Sequence, residues 1–166
     1  LAEIGNTFMA LRTALIASNP GMYAELGTEA IGTSIDNEYY GVSIKLPFNG
    51  MFINPTITKR DNTPLEVALS MIGTMIHELA HFRERNHGAS FASEMQDIMI
   101  ALETQPGFNL AAMKNSLAKH IEKNFDIYKF LSKEFKSGNY KPRGNRFKDT
   151  SYEQIPDEGT PGTVEG

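Results

Sequence analysis

The 166-residue chain contains no cysteine and no tryptophan. Without cysteine there is no disulfide, no thiolate zinc ribbon and no thiol nucleophile, so a metal site has to be built from His, Asp and Glu. The lack also fits a reducing compartment, and a soluble, cytoplasmic protein is the favoured expectation. No run of about 18 apolar residues occurs, so no segment is expected to span a membrane. Excess basic charge is missing too. Sixteen Lys+Arg against 20 Asp+Glu leave a net charge of −4, which offers nothing to recruit nucleic acid. Residues 1–20 lack a basic stretch and Arg12 interrupts their apolar part, so they do not read as a signal peptide. Leu1, rather than Met, opens the chain, which reads as a fragment or a processed product.

What is present is ordinary for a globular protein: 40% hydrophobic and 22% charged residues, in a length that holds one domain with a real core. Ile4, Phe8, Leu11 and Leu15 recur at helical spacing until Asn19-Pro20-Gly21. Three short β-prone runs follow, Ile31 to Ile35, Tyr39 to Leu46 and Met51 to Ile53. Asn49-Gly50 signals a hairpin between the last two, and Asn54-Pro55 ends the third. Thr63-Pro64-Leu65-Glu66 has the form of a helix start, with Thr63 as N-cap and Glu66 completing a capping box. The helix beyond it carries Leu65, Leu69, Ile72, Met75, Ile76 and Leu79, apolar on nearly every side, and is expected to be the buried central helix. A further helix is expected over Ala89 to Leu102, ahead of Pro106-Gly107. The apolar series from Leu110 to Phe135 reads as one long helix or two with a bend. After Gly138 the period disappears. The expected organisation is a domain over 1–137 and a disordered tail over 138–166.

The central helix contains His77-Glu78-Leu79-Ala80-His81. Two histidines four residues apart project about 40° from one another around the helix axis, so both reach one metal ion. A carboxylate beside them is placed to take a proton from a water held by that metal. The pattern points to a zinc-dependent hydrolase, above all a peptidase. A catalytic zinc takes three protein ligands and keeps an open position. His87 is the leading third ligand, because Gly88 next to it permits a sharp turn; Glu94 and Asp97 on the following helix are the alternatives. His120 has no ligand-spaced partner and reads as a boundary residue.

His77-Glu78-Leu79-Ala80-His81-Phe82, followed by Asn86-His87-Gly88 and Phe91, resembles the SprT-like and minigluzincin-type zinc peptidases, HExxH zincins. Met51-Phe52-Ile53-Asn54-Pro55 is similar to the strand that precedes the active-site helix in such proteins. The resemblance covers roughly residues 38–95. It implies an α+β fold with a zincin-like core: an N-terminal helix, a small, mostly antiparallel sheet, the central HExxH helix and C-terminal helices. It also implies Zn2+ held by His77, His81 and His87, with Glu78 as general base. The histidine spacing equals that of metzincins, but Glu84 stands where those have a glycine.

The implied partner is a protein or peptide substrate, bound in extended form along an edge strand near Tyr39 to Leu46. Tyr39 and Tyr40 are candidates for stabilising the oxyanion. Two alternatives accompany the metallopeptidase reading. One is a zincin-fold binding module, non-catalytic or with structural zinc, within a larger protein. The other is a DNA-associated SprT-like protease, for which the only basic cluster is Lys141, Arg143, Arg146 and Lys148 in the tail, a pattern that is usually solvated linker.

Overall fold

The computed structural model describes residues 2–34, 41–44, 49–55, 63–136 and 154–156. The fold is α+β: among the described residues, six helices lie against a small mixed sheet. Helix α1 (Ala2–Ser18) buries the expected stripe of Ile4, Phe8, Leu11 and Leu15. Asn19 then caps a single turn, α2 (Pro20–Tyr23), its side chain accepting from the Met22 amide. A 3-10 turn over Ala24–Thr28 leads into the sheet.

The strands are β1 (Ala30–Thr33), β2 (Gly41–Ile44), β3 (Gly50–Ile53) and β4 (Gln154–Pro156), in the order β1-β3-β2-β4. β2 and β3 pair antiparallel, as the Asn49-Gly50 signal predicts, with Ser43 opposite Met51 and Val42 opposite Phe52. β1 joins β3 in parallel, so the sheet is mixed, with two of its three pairings antiparallel. Side chains alternate between faces along a strand. Met51 and Ile53 therefore enter the main core with the helices, whereas Val42 and Ile44 pack with Phe52 in a separate cluster. Ser43, opposite Met51, shares the helix-facing side.

Helix α3 (Pro64–Ala80) starts as its sequence requires. The Thr63 hydroxyl accepts from the Glu66 amide at 3.1 Å and donates to the Glu66 carboxylate at 3.0 Å. The helix packs most extensively on α5, and also touches α1, α4, β2 and β3. It is central, but it is not buried on every side. Leu65 and Leu69 are 47% and 42% exposed although Val67 and Ala68 in the same turns are buried, and burial becomes continuous only from Met75 to the helix end, interrupted by His77. Helix α4 (Ala89–Thr104) ends ahead of a tight turn, in which the Phe108 amide donates to the Gln105 carbonyl and Gly107 takes φ +78°. That is a type II turn, with proline and glycine at its two central positions. The late helical series is two helices, α5 (Leu110–Lys123) and α6 (Phe125–Lys136). They break at Asn124, whose backbone leaves the helical region and whose side chain donates to the His120 carbonyl.

Of the segment 138–166 read as a disordered tail, residues 154–156 form β4 on the free edge of β2, and the rest lies outside the described residues. Tyr39, Tyr40, the hairpin loop 45–48 and the basic cluster Lys141 to Lys148 also lie outside them. No helix among the described residues is long and apolar enough to cross a membrane.

The burial contrast along α3 has a direct consequence. Leu79→Ala, at a fully buried position, should cost about 2–5 kcal/mol in urea denaturation. Leu69→Ala should stay within about 0.5 kcal/mol of the parent.

Candidate functional site

Helix α3 ends at His81, which is its C-cap. The last turn tightens as the amides of His81, Phe82 and Arg83 donate to carbonyls three residues back. The chain then runs through residues 82–88 and re-enters helix at Ala89. This short return carries His87 back over the helix end. The ligand-bearing nitrogens of His77, His81 and His87 all lie within 4.8 Å of one another, a group that can hold a metal ion. Nε2 of His87 stands 3.1 Å from Nε2 of His77 and 3.1 Å from Nε2 of His81. His81 is fully buried, His77 half-buried and His87 exposed, so solvent reaches the cluster at His77 and His87.

Two further contacts shape the cluster. His81 Nδ1 lies 2.9 Å from the Glu84 carbonyl. A carbonyl only accepts, so Nδ1 carries the proton and Nε2 keeps its lone pair for the cluster. The Phe91 ring, on the first turn of α4, sits 4.7, 4.6 and 5.0 Å from the rings of His77, His81 and His87. It forms an apolar floor that limits the rotation of all three. The turn itself is made differently from expectation. Gly88 has φ −97° and extended backbone, a conformation open to any residue, and its glycine is not what brings His87 round. The return comes from the tight end of α3 together with Gly88 serving as N-cap of α4.

Glu78, between the two helical histidines in the chain, is fully buried. Its Oε1 accepts from the Ser43 hydroxyl on β2 at 2.8 Å, while Oε2 has no hydrogen-bond partner among the described residues. Ser43 carries no signal in the sequence: a serine in a short β-prone run reads as an ordinary strand residue. Only the register of β2 on β3, which turns it toward α3, shows that it meets Glu78.

Glu94, the alternative third ligand, is engaged elsewhere. It is buried, accepts from the Tyr23 hydroxyl at 2.9 Å and pairs with Arg83 at 3.2 Å. Asp97 is not part of the histidine group either. Glu94 instead ties three pieces together: α2 through Tyr23, the return segment through Arg83, and α4 itself. Burial, followed by the bond to Glu94, pushes the Tyr23 hydroxyl well above the usual tyrosine range. His120 sits at a boundary, its Nε2 3.0 Å from the Tyr128 hydroxyl across the α5–α6 break.

Tyr23→Phe removes one of the donors to a buried carboxylate and should cost about 1–3 kcal/mol. Because the folded state holds the Tyr23 proton more tightly than the unfolded chain does, its share of stability is complete below about pH 10 and is lost as pH rises beyond it. Denaturation midpoints measured from pH 8 to 11 should therefore fall less steeply for Tyr23→Phe than for the parent.

Comparison of the chain with protein-family models, with curated proteins and with solved structures gives no match.

Proposed function

We propose that the chain is a zinc-dependent metallopeptidase with a zincin-like core, hydrolysing peptide bonds in a protein or peptide substrate. One observation carries the reading: three imidazole Nε2 atoms converge at the end of α3, next to a buried carboxylate that a neighbouring strand holds in place. The donor set fits the metal. Two nitrogen ligands at 2.0–2.1 Å in a tetrahedral shell stand about 3.3 Å apart, near the 3.1 Å found for the two pairs that His87 makes. A hydrogen bond accounts for the spacing less well, since a ring nitrogen has one in-plane site and His87 Nε2 faces two neighbours. Three neutral imidazoles open to solvent are the donor set of a catalytic rather than a closed structural zinc.

His77, His81 and His87 would hold the ion. When bound, zinc supplies a water of lowered pKa and a Lewis acid for the scissile carbonyl. Glu78 takes the proton of the attacking water and passes it to the departing amine. Ser43 fixes the rotamer of that carboxylate through Oε1 and leaves Oε2 for the proton. The Glu84 carbonyl keeps His81 in the tautomer that presents Nε2.

One observation favours a second reading, a metal-holding module without turnover. Glu78 has no exposed surface, and a general base has to meet a water. The two readings separate on activity. The purified chain should hold about one zinc per chain and cleave an unfolded protein in a manner abolished by a chelator and restored by zinc. Glu78→Gln should keep the zinc and lose hydrolysis by about 10²–10⁴-fold; zinc-dependent hydrolysis at the parent rate in Glu78→Gln would sink the mechanism. Ser43→Ala should keep the zinc and lower kcat about tenfold with little change in KM, whereas Ser43→Thr, which retains the hydroxyl, should recover part of it.

A further inference from the structure

Five residues separate His81 from His87, and the first three of them are fastened by groups around them. The Phe82 ring lies 6.2 Å from the Tyr23 ring of α2. The Arg83 guanidinium donates to Glu94 Oε1 of α4 at 3.2 Å, while the Tyr23 hydroxyl donates to Oε2 of the same carboxylate at 2.9 Å. The Glu84 carbonyl lies 2.9 Å from His81 Nδ1. Only Arg85 and Asn86, both exposed, then remain before His87. Successive Cα atoms stand about 3.8 Å apart, so a return fixed at Arg83 and Glu84 leaves His87 little room to wander.

The ion pair in this series is an unequal one. The Glu94 side chain is 4% exposed and the Arg83 side chain 42%. A pair between two surface groups is screened and worth little. Here the carboxylate has almost no water to turn to, so losing the guanidinium is costly and the pair is held firmly. Glu94 also stands three residues beyond Phe91, one turn further along α4, and the Phe91 ring packs on all three imidazoles. One carboxylate thus locks the return segment against the helix that floors the cluster.

We propose that Arg83 is a positioning residue of the metal centre. Its ion pair with Glu94 keeps the Glu84 carbonyl on His81 and His87 within reach of its partners, and so sets how tightly and for how long the ion is held. The effect on the ion rests on the metal-site reading; the placing of His81 and of the return segment does not. Such coupling is reciprocal, so a bound ion in turn tightens residues 82–88.

The test uses the full chain with Arg83→Ala, Arg83→Lys and Glu94→Gln, and Tyr23→Phe as a control that destabilises the fold but leaves the ion pair in place. Zinc affinity is read by competition with a chromophoric chelator, and zinc release by transfer to excess chelator. Arg83→Ala should bind zinc about tenfold more weakly and release it faster, with Arg83→Lys recovering part of the loss. Tyr23→Phe should stay within about twofold of the parent, because global stability does not enter the affinity of a chain that is folded throughout. In the metal-free chains, the ring-nitrogen shifts of His81 should show one tautomer in the parent and a mixture in Arg83→Ala. Amide exchange over residues 82–88 should quicken in Arg83→Ala and, in the parent, slow when zinc is added. Equal zinc affinity in Arg83→Ala and the parent, or an equal loss in Tyr23→Phe, would overturn the proposal. If circular dichroism shows Arg83→Ala unfolded, Glu94→Gln, which keeps the shape but weakens the hold on Arg83, decides in its place: a severalfold loss supports the proposal and parental affinity ends it. A parent chain that takes up no zinc removes the metal-site reading alone. The His81 shifts then judge Arg83, a mixed tautomer in Arg83→Ala upholding its role and an unchanged one refuting it.

Discussion

The site depends on where α3 stops. A helix that continued past His81 would carry residues 82–88 away along its axis and leave the two helical histidines without a third. The tight last turn, with amides donating three residues back, ends the helix at the second histidine. His87, only six residues further on, then comes back to 3.1 Å from both of its partners. Helical spacing supplies one pair, and helix termination supplies the third member. Phe91 and the Glu84 carbonyl then restrict the rings to orientations that share a centre.

That termination is held from outside by buried polar contacts. Burying a carboxylate is costly unless it is paired and hydrogen-bonded, and Glu94 meets both conditions through Tyr23 and Arg83. The three partners belong to α2, to the return segment and to α4, so a single buried charge sets the relative position of the pieces around the histidines. Glu78 is the second buried carboxylate of the region. It is bonded on one oxygen only among the described residues, an arrangement that is unfavourable for stability. The same strand that holds it carries a short segment from the far end of the chain on its outer edge.

Much of this was legible in the residues. Ile4, Phe8, Leu11 and Leu15 share a helical face at any position in a fold, and the Thr63-Pro64-Leu65-Glu66 start acts within one turn. Pro106-Gly107 demanded a turn, and glycine there does take a positive φ. By contrast, Leu65 and Leu69 looked like core. Hydrophobicity states what a residue gains by burial, but whether a neighbour covers it depends on which side of the helix the other elements pack. Gly88 looked like the pivot for His87 and is an ordinary extended residue, because a tight helix end accomplished what a left-handed glycine would have done. Glu94 and His87 were both eligible to join the two helical histidines on chemistry and spacing; a buried tyrosine 71 residues earlier in the chain engages the first.

The sequence by itself determined the local facts: the apolar stripe of α1, where α3 begins, that His77, Glu78 and His81 share one end of one helix, and that no thiolate ligand is available. These follow from periodicity, capping and composition, which act over a few residues. Only the tertiary structure decided the parallel placement of β1 beside β3, the meeting of Ser43 with Glu78, the commitment of Glu94 to Tyr23 and Arg83, and the seating of residues 154–156 on β2. Each of these joins groups far apart in the chain. Backbone edges and buried carboxylates accept many partners of the same chemistry, so which one they meet is set by the packing of whole elements rather than by any short run of residues.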